Sequence, residues 1–236
     1  MSRILRPTSM RGFRPFSGAG GEVRSIAGGG GGGGGGPFTE DWESYSLGAW
    51  VPADNGYTIL NERANQGYDI VNGFGSFSGQ MLKMRATGID TSTTTIITPD
   101  AMGDQADGIF RMQYYVSSTT NNNNYVQMYL RWTDMNNYIR CWGHTSAAYL
   151  YIDEVVGGSA TTATAITFNN RNTHWWMELI ADGSDITFNL YEDAYVTLKK
   201  SCYKSVALTT AGKLGLGFYA GYTNDYAYYG DFDWSV

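Results

Sequence analysis

From Pro37 onward, apolar residues recur at every second position in short runs, a period that restricts the chain to half-buried strands. Phe110, Met112, Tyr114 and Val116 share one face of such a run, and Val126, Met128, Leu130 and Trp132 share another. Ile139 and Cys141 alternate with Tyr138, Arg140 and Trp142, and Leu150 and Ile152 alternate with Tyr149, Tyr151 and Asp153. Trp175, Met177 and Leu179 alternate with Trp176, Glu178 and Ile180. Further faces are Ile186, Phe188, Leu190, then Leu214, Leu216, Phe218, Ala220, and finally Phe232, Trp234, Val236. Only Pro99–Asp104 hints at a helical turn.

Turn residues separate the runs: Asn121 to Asn124, Asn136-Asn137, Gly157-Gly158, Asn169-Asn170, Asp182-Gly183 and Asn224-Asp225. Asp182-Gly183-Ser184 between two alternating runs predicts a hairpin. No proline follows Pro99, so no ladder donor is missing beyond it. The spacing predicts one all-β domain over residues 37–236, a two-sheet antiparallel jelly-roll sandwich. An aromatic content of 15%, with 18 Tyr and 7 Trp, suits pleated surfaces. Cys141 and Cys202 both fall in strand-like runs and read as buried thiols; a domain of this size needs no disulfide.

Residues 1–36 differ. Residues 1–27 carry Arg3, Arg6, Arg11, Arg14 and Arg24, with Phe13 and Phe16, against the single acid Glu22. Nine glycines, Gly28 to Gly36, follow as a linker that spans roughly 15–18 Å as a flexible coil. Residues 37–236 hold 11 basic and 21 acidic side chains, which argues against a nucleic-acid partner for the domain. The basic arm alone suits an acidic surface. Alone, such a segment is expected to be disordered. Holding nine glycines in order is entropically costly, so an ordered arm is expected to be extended, non-globular and clamped by other chains in an assembly. No apolar stretch resembles a signal peptide or a membrane span, so neither export nor membrane insertion is expected.

Four segments resemble the concanavalin-like, or laminin-G-like, jelly-roll superfamily: PFTEDWESYSLGAW, NNYIRCWGHTSAAYLYIDEVVGG, THWWMELIADGSDITFNLYED and GKLGLGFYAGYTNDYAYYGDFDWSV. The resemblance implies a sandwich whose last strand returns beside the first. Its members include lectins, glycosidases, adhesion modules and viral structural proteins, so function must come from the site. A short Arg-rich tail, a polyglycine tract and a jelly roll together resemble tailed-phage virion proteins, capsid decorations or tail fibres. That likeness implies a homo-oligomer assembled in the host cytoplasm, anchored to other virion proteins through residues 1–36. It implies subunit contacts and adhesion to host-surface polysaccharide. A free-standing lectin-like module and, less favoured, a glycoside hydrolase are the alternatives.

Catalytic motifs are sparse. A glycosidase needs two carboxylates about 5–9 Å apart. The hydrolases of this fold carry E-x-D-x-E, whereas here Asp153 and Glu154 are adjacent and so face opposite sides of a strand. Glu192-Asp193 and the pair Asp231 and Asp233 are further candidates, but the latter sit on the closing strand. His144 and His174 lack zinc spacing, and the polyglycine lacks a phosphate loop's Lys and Ser/Thr. Asp100, Asp104 and Asp107 are weak calcium candidates, and no other cofactor is expected.

The aromatic surplus is what points to a site. With the aliphatic faces inward, Tyr115, Tyr125, Tyr129, Tyr138, Trp142, Tyr149 and Tyr151 fall on the opposite face with Arg131 and Arg140. Aromatic faces stack on sugar rings, and Tyr and Arg anchor protein interfaces. Tyr222 and Tyr226, with Asp225 and Tyr228, mark a second candidate contact.

Overall fold

The computed structural model describes residues 38–235 apart from 62–65, 74, 87–94, 118–124, 145–148, 167–172 and 220–225. The basic arm, the glycine tract and Tyr222 lie outside the described residues, as do Ala220 and Val236.

The alternating runs fold as strands of two antiparallel sheets. One sheet contains β1 (Phe38–Glu40), β2 (Gly48–Ala49), β4 (Gln66–Asn72), β5 (Gln80–Ala86), β7 (Gly108–Ser117), β12 (His174–Asp182), β13 (Asp185–Tyr191), β14 (Leu198–Ser205) and β16 (Tyr226–Ser235). Its order is β14-β13-β12-β7-β16-β5-β4-β2, with β1 also paired to β16. The second contains β3 (Tyr57–Asn61), β6 (Thr95–Pro99), β8 (Tyr125–Asp134), β9 (Asn137–His144), β10 (Tyr149–Val156), β11 (Ser159–Ile166) and β15 (Lys213–Tyr219). Its order is β11-β10-β9-β8-β15-β6-β3. Closing strand β16 does lie beside opening strand β1, with Phe38 opposite Trp234. The hinted helical turn is a single 3-10 turn, Asp100–Met102; a second, Pro52–Asn55, carried no comparable hint.

The expected inward faces form the core. Met112, Tyr114, Met177, Leu179, Phe188, Phe232 and Trp234 of the first sheet pack over Met128, Leu130, Ile139, Ile152, Leu216 and Phe218 of the second. Cys141 and Cys202 are free and buried. Gly157 and Gly158 close the β10–β11 hairpin with φ of 56° and 79°, the left-handed pair that a two-residue turn of matching twist requires. Gly183, at φ 54°, starts the β12–β13 turn.

Two residues depart from the expected alternation, for one reason. Arg131 has φ 53°, a left-handed bulge in β8, so the chain turns over between Leu130 and Trp132. Arg131 therefore does not join the outward aromatic face. Its side chain has 0% exposure, and its guanidinium donates to the carbonyls of Ala106 at 2.9 Å, Leu208 at 2.6 Å and Gly183 at 2.6 Å. It also pairs with Asp107 at 3.1 Å. Trp132, expected inward, instead joins Tyr129, Ile96, Leu60 and Tyr138 in a small apolar cluster on the outer side of the second sheet.

Candidate functional site

The remaining candidates on the second sheet divide in two. Tyr129 keeps 2% of its surface. It lies over β15, where a Cβ at Gly217 would come within 2.5 Å of its ring. Its hydroxyl donates to Gln127 at 2.7 Å, and Trp132 stacks on Tyr138 at 5.0 Å. Tyr129 and Tyr138 thus seal the sheet rather than present a surface.

The second group is an aromatic ridge across four strands, half-buried throughout. Tyr219 on β15 stacks on Tyr125 on β8, centroids 4.8 Å apart. Tyr125 meets Trp142 on β9 edge-on at 4.7 Å, and Trp142 stacks on Tyr151 on β10 at 4.0 Å and 13°. Tyr149 leans on Tyr151 at 5.7 Å. Directly opposite residues on neighbouring strands stack because the strand spacing, about 4.8 Å, is close to ring-stacking distance.

A buried carboxylate fastens the ridge. Asp153 Oδ2 accepts from Arg140 Nε at 3.0 Å and Nη2 at 2.6 Å, and from Trp142 Nε1 at 2.7 Å. Its other oxygen accepts from Thr162 at 2.7 Å. Arg140 also lies 5.3 Å from the Trp142 ring. On the side away from Trp142, Tyr151 stands opposite Thr164 of β11, beside Thr162. The result is a wall, Trp142 and Tyr151, over a low shelf of threonine hydroxyls.

Tyr219 was not singled out from the sequence: it alternates with Phe218, but nothing local shows that β15 runs beside β8. Thr162 and Thr164 lie in SATTATAI, whose small residues give little hydrophobic alternation to read.

Tyr226 lies on the outer face of the other sheet, with Lys83 Nζ 4.2 Å from its ring centre and Tyr228 6.4 Å away. Tyr115 is on that sheet too, 5.8 Å from Tyr228, rather than with the ridge. The aromatic candidates therefore occupy two faces, not one.

Carboxylate candidates fall apart similarly. Asp153 and Glu154 do point opposite ways: Glu154 accepts from the amides of Ala207 at 2.5 Å and Leu208 at 2.8 Å. Glu192 pairs with Lys199, and Asp193 accepts from the Thr197 amide at 2.6 Å. A buried carboxylate not singled out from sequence, Glu178, shares a cross-strand row with Arg111 and Asp233. Both its oxygens already accept hydrogen bonds, from Arg111 at 2.7 Å, Asn189 at 3.0 Å and Tyr191 at 2.9 Å. The calcium candidates are each taken: Asp100 by Thr58, Asp104 by Lys213 and Asp107 by Arg131. Among the described residues no group of three His, Cys, Asp or Glu side chains could hold a metal ion.

Asp231 titrates out of range. Lost hydration, then the neighbouring carboxylates Asp41, Glu43, Glu40 and Asp233, push it up to about 6. Unfolded, it would titrate near about 3.9. The fold thus binds the extra proton between those values, and stability falls as pH rises through about 6. Asp231→Asn is expected to melt above the parent at pH 7 to 8, with the difference closing toward pH 4. Melting curves across that range check it, and equal curves at pH 8 would refute it.

No protein-family model and no curated protein sequence matches the chain. Solved structures do. A protein of unknown function from Shewanella oneidensis superposes with TM-score 0.59 at 12% identity, over 84% of each chain. Carbohydrate-binding module CBM66 from Bacillus subtilis gives 0.52 at 15% identity, over 76% of this chain and 96% of that one. The Bacillus licheniformis β-glucanase gives 0.50 at 15% identity, over 86% and 99%. The domain has the fold of a two-sheet jelly-roll sandwich. At these identities the likeness is one of fold, and residues must carry any function.

Proposed function

We propose that the domain is a non-catalytic carbohydrate-binding module whose site is the ridge on the outer face of the second sheet. The observation that carries this is the Trp142–Tyr151 wall over Thr162 and Thr164, with its orientation held by Asp153. A sugar ring stacks on the side of Tyr151 facing β11, and its hydroxyls meet the threonines. That CBM66, a carbohydrate-binding module by name, has the same fold is consistent with the reading.

The charge contrast between the basic arm and the acidic remainder favours a second role: residues 1–36 dock the chain on a particle, as in a virion appendage, and the glycine tract spaces the domain from it. One experiment with two arms tests both. On a glycan array the full chain binds polysaccharide, and by calorimetry Tyr151→Ala weakens the best ligand about tenfold or more. Deleting residues 1–36 abolishes particle incorporation and leaves glycan affinity unchanged. An array with no binding, or unchanged affinity in Tyr151→Ala, removes the site; incorporation without the arm removes the anchor.

A further inference from the structure

Sheet edges expose unpaired backbone groups, and proteins guard them with lysines, bulges or very short strands. Among the described residues four edge strands are guarded in those ways. The outermost strand β14 carries Lys199, Lys200 and Lys204; β2 has two residues and β1 three; β3 has five and a bulge at Ile59/Asn61. The remaining edge strand, β11, has none of these. Its sequence SATTATAI holds no charge and no proline, and its register with β10 runs unbroken over eight pairs. Ser159 to Thr162 are exposed, and among the described residues the ladder bonds of β11 run to β10 alone.

We infer that β11 is the seam of a homodimer, pairing antiparallel with β11 of a second copy. An antiparallel strand paired with itself is isologous, each residue meeting its counterpart through a two-fold axis. The requirement is a self-compatible sequence, and a neutral run of small and β-branched residues places no like charges opposite one another. β14 runs along the same flank. Two of its three lysines are paired, Lys199 with Glu192 and Lys204 with Glu154, which lowers the repulsion the two copies would meet. Pairing joins the two seven-stranded sheets into one continuous sheet. It sets the two β10 strands about 14 Å apart, so that a Tyr151 wall rises on either side of a threonine floor. The inference stands apart from the glycan reading and adds to it only this paired trough.

The test is sedimentation velocity of the full chain over a range of concentrations, with hydrogen exchange at the monomer and dimer ends. The seam is short, so a concentration-dependent dimer is expected, with residues 159–165 gaining amide protection as it forms. Ala160→Lys combined with Thr161→Lys is expected to leave a monomer with an unchanged circular dichroism spectrum. A chain monomeric at every concentration overturns the proposal. So does a dimer that survives the double variant with the β11 amides unprotected, which places the interface elsewhere. Protection, in a monomer, of the alternate β11 amides that point away from β10 also overturns it, by showing that another part of the same chain takes the edge.

Discussion

Arg131→Ala is expected to cost about 3–5 kcal/mol, because three backbone carbonyls lose their donor at about 1–3 kcal/mol each, while the half-exposed Asp107 adds little. The guanidinium holds three loops at one end of the sandwich: Ala106 before β7, Gly183 in the β12–β13 turn, and Leu208 between β14 and β15. Asp107 closes the ring by accepting from both Arg131 and the Gly183 amide. Alanine leaves three carbonyls facing a cavity. For a domain of about 200 residues the melting temperature falls by roughly 6–20 °C. Arg131→Lys keeps the charge but not the fork of donors, and recovers only part of the loss. Thermal melts of both variants check this; a drop under about 2 °C in Arg131→Ala would show that the loops hold without it.

Arg131 also marks where period-two reading stops working. Alternation assumes extended backbone at every residue, and one left-handed residue inverts everything after it until the strand ends. Asparagine or glycine would have announced such a position; arginine does not. The runs in β7, β9, β10, β12 and β13 have no such residue, and their inward faces are where alternation puts them. Tyr129 fails differently. Its backbone faces outward as expected, yet it is buried, because neighbouring β15 offers Gly215 and Gly217 as a trough. Gly-Leu-Gly is plain in the sequence, but what lies over it depends on strand order, which no local pattern carries. Trp142 and Tyr151 were legible because both the strand period and the partner hairpin are local: β9 and β10 are consecutive and pair directly. Thr162 and Thr164 were not, since small polar residues give no moment. What the ridge binds lies in hydroxyl geometry, a finer scale than hydrophobic pattern.

Asp153→Ala is the change expected to strike fold and site together. Four donors converge on this carboxylate, two from Arg140 and one each from Trp142 and Thr162. The Asp153 side chain keeps 5% exposure and Arg140 keeps 26%, so water can replace only part of what is lost. Hydrogen bonds to charged groups are worth about 1.5–3 kcal/mol, and the loss is expected at about 2–3 kcal/mol because Arg140 stays partly wet. The Trp142 indole, released at its Nε1, no longer holds one orientation against Tyr151, so sugar affinity falls with stability. Asp153→Asn keeps one acceptor and falls between parent and alanine on both counts. Asp153 is a positioning residue, and the binding assay below the melting range separates its two effects. An Asp153→Ala protein that is folded and binds as tightly as the parent would mean that the ridge is ordered by stacking alone. A protein destabilised by about 2–3 kcal/mol and weakened for sugar while folded would tie the carboxylate to the wall.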